Sequence, residues 1–307
     1  MEEHDQNHPG SESRPRVSVG LPVYNGGRYL VESIGSLLDQ TFQDFELIIS
    51  DNGSTDETRT ICEGFAAQDP RIRYIRHEIN RGASWNFNIV VELARAPYFK
   101  WASHDDLHAP TFLERCVHTM DTSDGDVILC YPKTIEIDAD GREVGGFEDQ
   151  LDLRSDDPAD RFKQLLRRYR LSNPIFGLLR TDMVRSTRLL SAYPSSDLVL
   201  FAELALRGKF VEIPERLFLR RIHPGRSVES NKTMEEVAIW FDPNNAGRRI
   251  YPRTKLLIEH ARAVALSPIS LTKKLRSSWY LVRYYRYWPF VRGEAKHAAL
   301  TLFGHRG

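Results

Sequence analysis

Hydrophobic positions change period again and again through the first 130 residues. Arg16 to Val23 alternates apolar and polar side chains, Tyr24-Asn25-Gly26-Gly27 breaks the alternation, and Leu30, Ile34, Leu37 and Leu38 then recur at helical spacing. The pattern predicts strand, turn, helix. Phe45 to Ser50 is continuously apolar apart from Glu46, as in a strand covered on both faces. Ser54 with Glu57 three residues later reads as a capping box that opens a helix carrying Ile61, Phe65 and Ala66 inward. Arg71 to Arg76 is a third strand, Gly82 to Ala94 a helix, and Tyr98 to Trp101 a fourth strand. Pro110 opens the next helix at its first turn, and Asp126 to Tyr131 is a fifth strand. Such an alternation implies an α/β chain with a doubly wound, mostly parallel sheet and right-handed crossovers, whose ligands lie beyond the carboxyl ends of the strands. Those ends carry Tyr24-Asn25, Asp51-Asn52 and His104-Asp105-Asp106, so polar residues converge on one rim.

After residue 131 the alternation stops. Ile135 to Asp138 and Glu143 to Phe147 flank Ala139-Asp140-Gly141, a hairpin signal with Asp-Gly at the turn. A helix is expected over Arg161 to Arg170 and another over Asp197 to Arg207, ending at Gly208. Short strands over Ile175 to Leu179, Lys209 to Ile213 and Arg216 to Arg221 make the sheet mixed. Residues 1–14 are polar and read as a disordered tail, 15–235 as the α/β domain, and 236–307 as a helical, basic-aromatic extension.

Composition narrows the picture without naming a task. The chain has 307 residues, with 42 Lys and Arg against 42 Asp and Glu, so no global field argues for nucleic acid. Charge is uneven, however: residues 271–307 hold eight Lys and Arg against one Glu. Cys62, Cys116 and Cys130 stand far apart without metal-ligand spacing and read as buried thiols of a reducing compartment. No apolar run approaches the roughly 20 residues that cross a bilayer, and the first residues form no signal core. The expectation is a cytoplasmic protein, soluble or peripheral at the inner membrane face.

Two acidic side chains at the end of a buried strand suit a divalent cation held against a phosphate, although a solvated loop with Asp106 as a helix cap is the plainer reading. The wider pattern favours the cation. Val19-Gly20-Leu21-Pro22-Val23-Tyr24-Asn25, then Asp51-Asn52-Gly53-Ser54-Thr55-Asp56, then Asn80-Arg81-Gly82 with Asn88, then Ser103-His104-Asp105-Asp106 together resemble family 2 glycosyltransferases of the GT-A fold, in order and spacing. The likeness extends to about residue 230.

This resemblance implies a sugar-nucleotide site. Pro22, Tyr24 and Asn25 would line the base pocket, and Asp51, an acceptor-only group, would take a hydrogen bond from the base. Asn80 and Asn88 would complete the nucleotide side, with His104 either donating to phosphate or facing solvent. Asp105 would ligate Mn2+ or Mg2+, helped by Asp106 and by His223, while Arg221 and Arg226 would offer forked donors to the diphosphate. The family's metal motif usually begins with an Asp where this chain has Ser103. Ser195-Ser196-Asp197, eleven residues before Gly208, is similar to the family's acidic motif, with Ser196 in place of a Glu. Asp197 is the general-base candidate; its plainer role is a helix cap. Glu203 reads as an exposed or paired helix residue, and Asn173-Pro174-Ile175-Phe176-Gly177 as acceptor-side lining.

The implied activity is inverting transfer from a nucleoside-diphosphate sugar (UDP, GDP or dTDP) to a hydroxyl, with a non-catalytic nucleotide-sugar-binding or assembly protein of the same fold as the alternative. Nucleotidyl transfer would want a Gly-rich phosphate loop with a cation after the first strand, and Tyr24 to Arg28 is a poor version of one. The stretch Ser278 to Trp288 interleaves Trp, Tyr and Arg; packing on its own domain, an anionic membrane, and a partner subunit in a homo-oligomer all stay open for it.

Overall fold

The computed structural model describes residues 14–226, 230–231, 233–248 and 251–286. The expected tail at 1–14 therefore falls almost wholly outside the described residues, as does the end of the basic-aromatic stretch. Four strands, β1 (Val17–Val23), β2 (Phe45–Asp51), β3 (Ile72–Arg76) and β4 (Tyr98–Trp101), alternate with helices α1 (Gly27–Leu38), α2 (Thr58–Ala66) and α3 (Ala83–Leu93). All four strands run parallel in the order β3-β2-β1-β4. Every residue of β1 and β2 is buried, as their apolar runs require of strands covered on both faces. A Cβ on Gly20 would stand 2.7 Å from the Val90 side chain, so the glycine lets α3 lie close over β1.

The second half turns the sheet mixed. After the two-residue β5 (Leu107–His108) and α4 (Phe112–Thr122) come β6 (Val127–Ile137) and β7 (Glu143–Phe147), the expected hairpin, with Gly141 at φ +83° in its turn. Helix α5 (Pro158–Arg168) is capped by the Asp157 carboxylate. Beyond it lie a 3-10 turn (Asn173–Phe176), β8 (Leu178–Arg180), α6 (Thr181–Arg185), α7 (Ser196–Arg207) and β9 (Lys209–Arg221). The full order is β3-β2-β1-β4-β8-β6-β9-β5, with β6 and β9 parallel and β8 antiparallel between β4 and β6.

Three expectations change. The runs Lys209 to Ile213 and Arg216 to Arg221 form one strand whose register shifts beside Pro132 and Lys133, so the break in the pattern marks an irregularity rather than an end. The strand expected from Ile175 splits into the 3-10 turn and β8, because Pro174 at the turn's start favours a tight helical φ. Ser54 caps nothing: α2 starts four residues later, and the Asp56 carboxylate accepts from the Thr58 amide.

Helices α8 (Met234–Phe241), α9 (Pro252–Leu266) and α10 (Leu271–Arg286) follow. Leu256, Ala263, Val264, Leu281 and Tyr285 join the hydrophobic cluster that contains Phe162, Phe201 and Phe210. The three cysteines are buried thiols. Among the described residues no helix is long and apolar enough to cross a membrane.

Candidate functional site

Parallel register brings the ends of β1, β2 and β3 level, with Val23 opposite Asp51 and Asp51 opposite Arg76, while β4 ends opposite Gly20, three residues short of the end of β1. The turns beyond β1 and β2 are stitched together. Asn25 adopts a left-handed φ of 50°, its amide donates to Ser54 Oγ at 2.9 Å, and its Oδ1 accepts from the Thr55 amide at 2.8 Å. The Gly26 and Gly27 amides donate to Thr58 Oγ1 and Asp56 Oδ2. These bonds hold Tyr24 as an exposed ring on the rim, above the buried Pro22.

Asp51 is fully buried beneath this turn. Its Oδ1 accepts from the Ser54 amide at 2.8 Å and its Oδ2 from the Tyr74 hydroxyl at 2.7 Å, with Arg76 Nε at 3.6 Å. The carboxylate expected to meet a base therefore braces the turn after β2 against β3. Asn80 also braces: it accepts from Asn52 Nδ2 and the Gly82 amide. Asn88 lies elsewhere, paired in both directions with the backbone of Leu190. Its neighbour Asn86 occupies the rim instead, accepting from Ser50 Oγ and donating to the carbonyls of Val23 and Ser50. An asparagine two positions away carries no spacing signal that separates these roles.

The end of β4 builds the acidic seat. Asp105 Oδ2 stands 3.0 Å from His223 Nε2, its Oδ1 accepts from Ser103 Oγ, and the Ser103 carbonyl is held by Ser33 Oγ at 2.8 Å. The Tyr29 ring lies 4.7 Å from the His223 ring. The Gly225 amide donates to His223 Nδ1 at 3.2 Å, which leaves Nε2 facing Asp105. Burial works to raise the Asp105 carboxyl, but His223, the His104 charge and Ser103 together hold it well below the usual carboxylate range. Asp106 moves the other way, raised by burial and by the Asp105 charge. His104 packs close to Gly26, where a Cβ would come within 2.8 Å of its ring, so the β1 turn and the acidic loop touch.

Arg221 departs from expectation. Its side chain is enclosed: Nε donates to the Asp105 carbonyl at 3.0 Å, one terminal nitrogen to Glu32 Oε2 at 2.7 Å and the other to the Ala139 carbonyl at 3.1 Å. The guanidinium stacks 4.6 Å from the Tyr29 ring centroid. With its donors turned inward it is a brace of the acidic loop, not a free phosphate donor. Asp106 shares in this latch, its Oδ1 accepting from the Arg221 amide at 2.9 Å. Arg226 follows in the same loop, its amide bonded to the His223 carbonyl. Neither Glu32 nor Tyr74 is visible as a partner in the sequence, since each lies within an ordinary helix or strand pattern.

Whether a hard cation fits can be tested on the donor set. Two ligands about 2.1 Å from an octahedral ion, at right angles, stand about 3.0 Å apart, also the length of the hydrogen bond that Asp105 Oδ2 and His223 Nε2 share, so a cation held by both would replace that bond. Among the described residues no group of three or more His, Cys, Asp or Glu side chains forms a ready cage. A carboxylate and an imidazole, with the rest of the sphere left to phosphate and water, fit Mg2+ or Mn2+.

Asp197 belongs to a second cluster. It lies in the first turn of α7 rather than at its cap, which is Ser195, and its Oδ2 accepts from the hydroxyls of Tyr169 (2.8 Å) and Ser172. Beside it Asn173 donates to Thr134 Oγ1 and to Asp149 Oδ2 at 3.2 Å. Asp149 is buried, its Oδ1 has no hydrogen-bond partner among the described residues, and its carboxyl is pushed up to about 7, chiefly by burial and also by Glu212. Lys100, wholly buried on β4, donates to the carbonyls of Trp101 and Phe176 and so ties the strand that leads to the acidic loop to the Asn173–Phe176 turn.

Known proteins agree with this architecture. GlyG, a glycosyltransferase of Streptococcus pneumoniae, is 35% identical over 113 residues, covering 37% of this chain and 38% of its own, so the chain spans little more than a third of that relative's length. The S. aureus TarS 1-349 structure in complex with UDP-GlcNAc superposes with a TM-score of 0.63 at 16% identity, covering 89% of this chain and 73% of that one. A mannosyltransferase of Pyrobaculum calidifontis in complex with GDP-Man and Mn2+ gives 0.52 at 16% identity over 96% and 89%. These likenesses bear out the GT-A type of mixed sheet. The family model of Glycosyl transferase family 2 matches residues 18–180. Over more than half of its length, then, this chain carries that family's pattern, and it belongs to glycosyl transferase family 2.

Proposed function

We propose that the protein moves a sugar from a nucleoside-diphosphate sugar to an acceptor hydroxyl with inversion at the anomeric carbon. The observation that carries this reading is the meeting of Asp105 and His223, 118 positions apart in sequence, at 3.0 Å on the sheet's carboxyl rim. A structural ion pair needs no such address. The two sugar nucleotides named in the neighbours' titles, UDP-GlcNAc and GDP-Man, support this donor class and leave the base open.

In this reading Tyr24 offers its exposed ring to the base, while Asn25 and Asp51 keep the turn in shape around it. Asp105 and His223 would hold Mn2+ or Mg2+, which when bound neutralises charge gathering on the diphosphate. His104 and Arg226, close in sequence to Asp105 and His223, would serve as phosphate donors. Asp197 takes the proton of the acceptor hydroxyl as its oxygen bonds to the anomeric carbon and the bond from that carbon to the diphosphate oxygen breaks, its electron pair leaving with the nucleotide. Tyr169 and Ser172 fix the carboxylate's direction for that transfer.

Thermal denaturation with UDP, GDP and dTDP, with and without Mn2+, tests the donor site: one nucleotide should raise the midpoint with concentration, more so with Mn2+. Asp197→Asn should abolish transfer and keep that shift. Equal activity in the variant removes Asp197 from the reaction, and no shift with any nucleotide removes the donor site.

A further inference from the structure

Helix α10 has two apolar faces, and only one is used. Ser277, Leu281 and Tyr285 are buried toward the domain, while Arg276 and Lys273 reach Asp157 at the start of α5. A second side presents Leu271 at 72% exposure, Leu275 at 63%, Trp279 at 57% and Val282 at 66%. Positions 271, 275, 279 and 282 fall on one stripe at helical spacing. A contiguous exposed stripe of large apolar side chains calls for an occupant.

Charge identifies that occupant. Leu271–Arg286 contains Lys273, Lys274, Arg276, Arg283 and Arg286 and no acidic residue. Residues 271–307 as a whole hold eight Lys and Arg against one Glu. The Arg283 guanidinium lies 5.6 Å from the Trp279 ring centroid, a cation beside an amphipathic ring of the kind that settles at a headgroup boundary. A second copy docked by two-fold symmetry would bring together two helices that each carry five cations and no acid, which like charge opposes. An anionic bilayer meets both requirements, taking the apolar stripe among acyl chains and Arg283 beside it among phosphates, while Lys273 and Arg276 stay with Asp157.

We propose that α10 is an interfacial helix that seats the protein on an anionic membrane surface, with Leu271, Leu275, Trp279 and Val282 entering the headgroup boundary. The proposal is independent of the sugar-transfer reading and stands or falls without it.

The test is co-sedimentation of the full chain with vesicles of phosphatidylcholine alone and of phosphatidylcholine with one-third phosphatidylglycerol. Binding is expected to the anionic vesicles only, and to weaken severalfold as salt is raised. Leu275→Gln combined with Trp279→Gln should lower the bound fraction at least tenfold while leaving the thermal midpoint near that of the parent, because both side chains face outward. Absence of binding by the parent, or equal binding by the double variant, overturns the proposal. So does a concentration-dependent dimer, seen by sedimentation velocity without lipid, that the same two substitutions abolish, since the stripe would then be a protein interface.

Discussion

Arg221 and Asp149 are buried polar residues in opposite states of satisfaction. The Arg221 fork meets two backbone carbonyls and the Glu32 carboxylate, and its amide meets Asp106. A lysine keeps the charge but cannot span three directions at once. Arg221→Lys is therefore expected to lose about 3 kcal/mol of stability, the scale of breaking a buried charged network, and urea denaturation should register it together with loss of transfer. A residue that merely touched phosphate would lose activity with its midpoint unchanged. Asp149, by contrast, keeps one oxygen unpaired in a buried place, and its carboxyl is raised to about 7. Between about pH 4 and pH 7 the unfolded chain has released a proton that the folded chain retains. Stability from this group is thus fully present below its ordinary value and declines as pH rises toward 7, by at most about 1.4 kcal/mol per unit. Asp149→Asn should remove that slope, so the variant gains on the parent as pH passes from 5 to 8 in parallel denaturation series. An unchanged slope would assign the titration to another group.

Elements are held to one another by a few such groups, and α7 and α9 show how. Arg188 bonds to Glu203 of α7 and Glu259 of α9, both almost fully buried, while Lys255 and Arg262 also reach Glu259. Glu203, read from the sequence as exposed or paired, is paired and enclosed. Arg188→Met leaves it in the core without its cation, whereas Glu259 keeps two. A loss of about 3 kcal/mol is expected in chemical denaturation, and Glu203→Gln in the same background should recover part of it. The four parallel strands could be read from the sequence because Tyr24-Asn25-Gly26-Gly27 and Asp51-Asn52-Gly53 punctuate continuous or alternating apolar runs, a local signal. Strand β5 could not, having two residues, and β9 was read as two because Pro214 and Glu215 interrupt its pattern without ending its pairing with β6. The same divide runs through the site. Tyr24, Asp51 and Asp105 declare themselves by lying at strand ends, while the roles of Glu32, Tyr74 and Asn86 follow from partners brought in by the fold, which no spacing encodes.

At the scale of the whole molecule the rim is a product of distant segments. Residues 18–180, which carry the family pattern, supply the turns after β1 and β2 and the acidic loop. They lack β9, which lies between β6 and β5 in the sheet, and they lack His223. A fragment ending at residue 180 should accordingly show neither cooperative unfolding nor a Mn2+-dependent shift with the nucleotide that stabilises the full chain; a normal shift would mean that the seat does not need His223. The latch between Arg221 and Glu32 joins residues 189 positions apart, and that between Arg221 and Asp106 joins residues 115 apart. Loops of that length close late, after local helices and the β1 to β4 crossovers have had time to form. During synthesis the acidic loop therefore waits for more than a hundred further residues before its partners leave the ribosome. On the proposed reading, competence to grip a nucleotide then arrives as one of the last events of folding, and a half-made chain has no seat with which to sequester the donor.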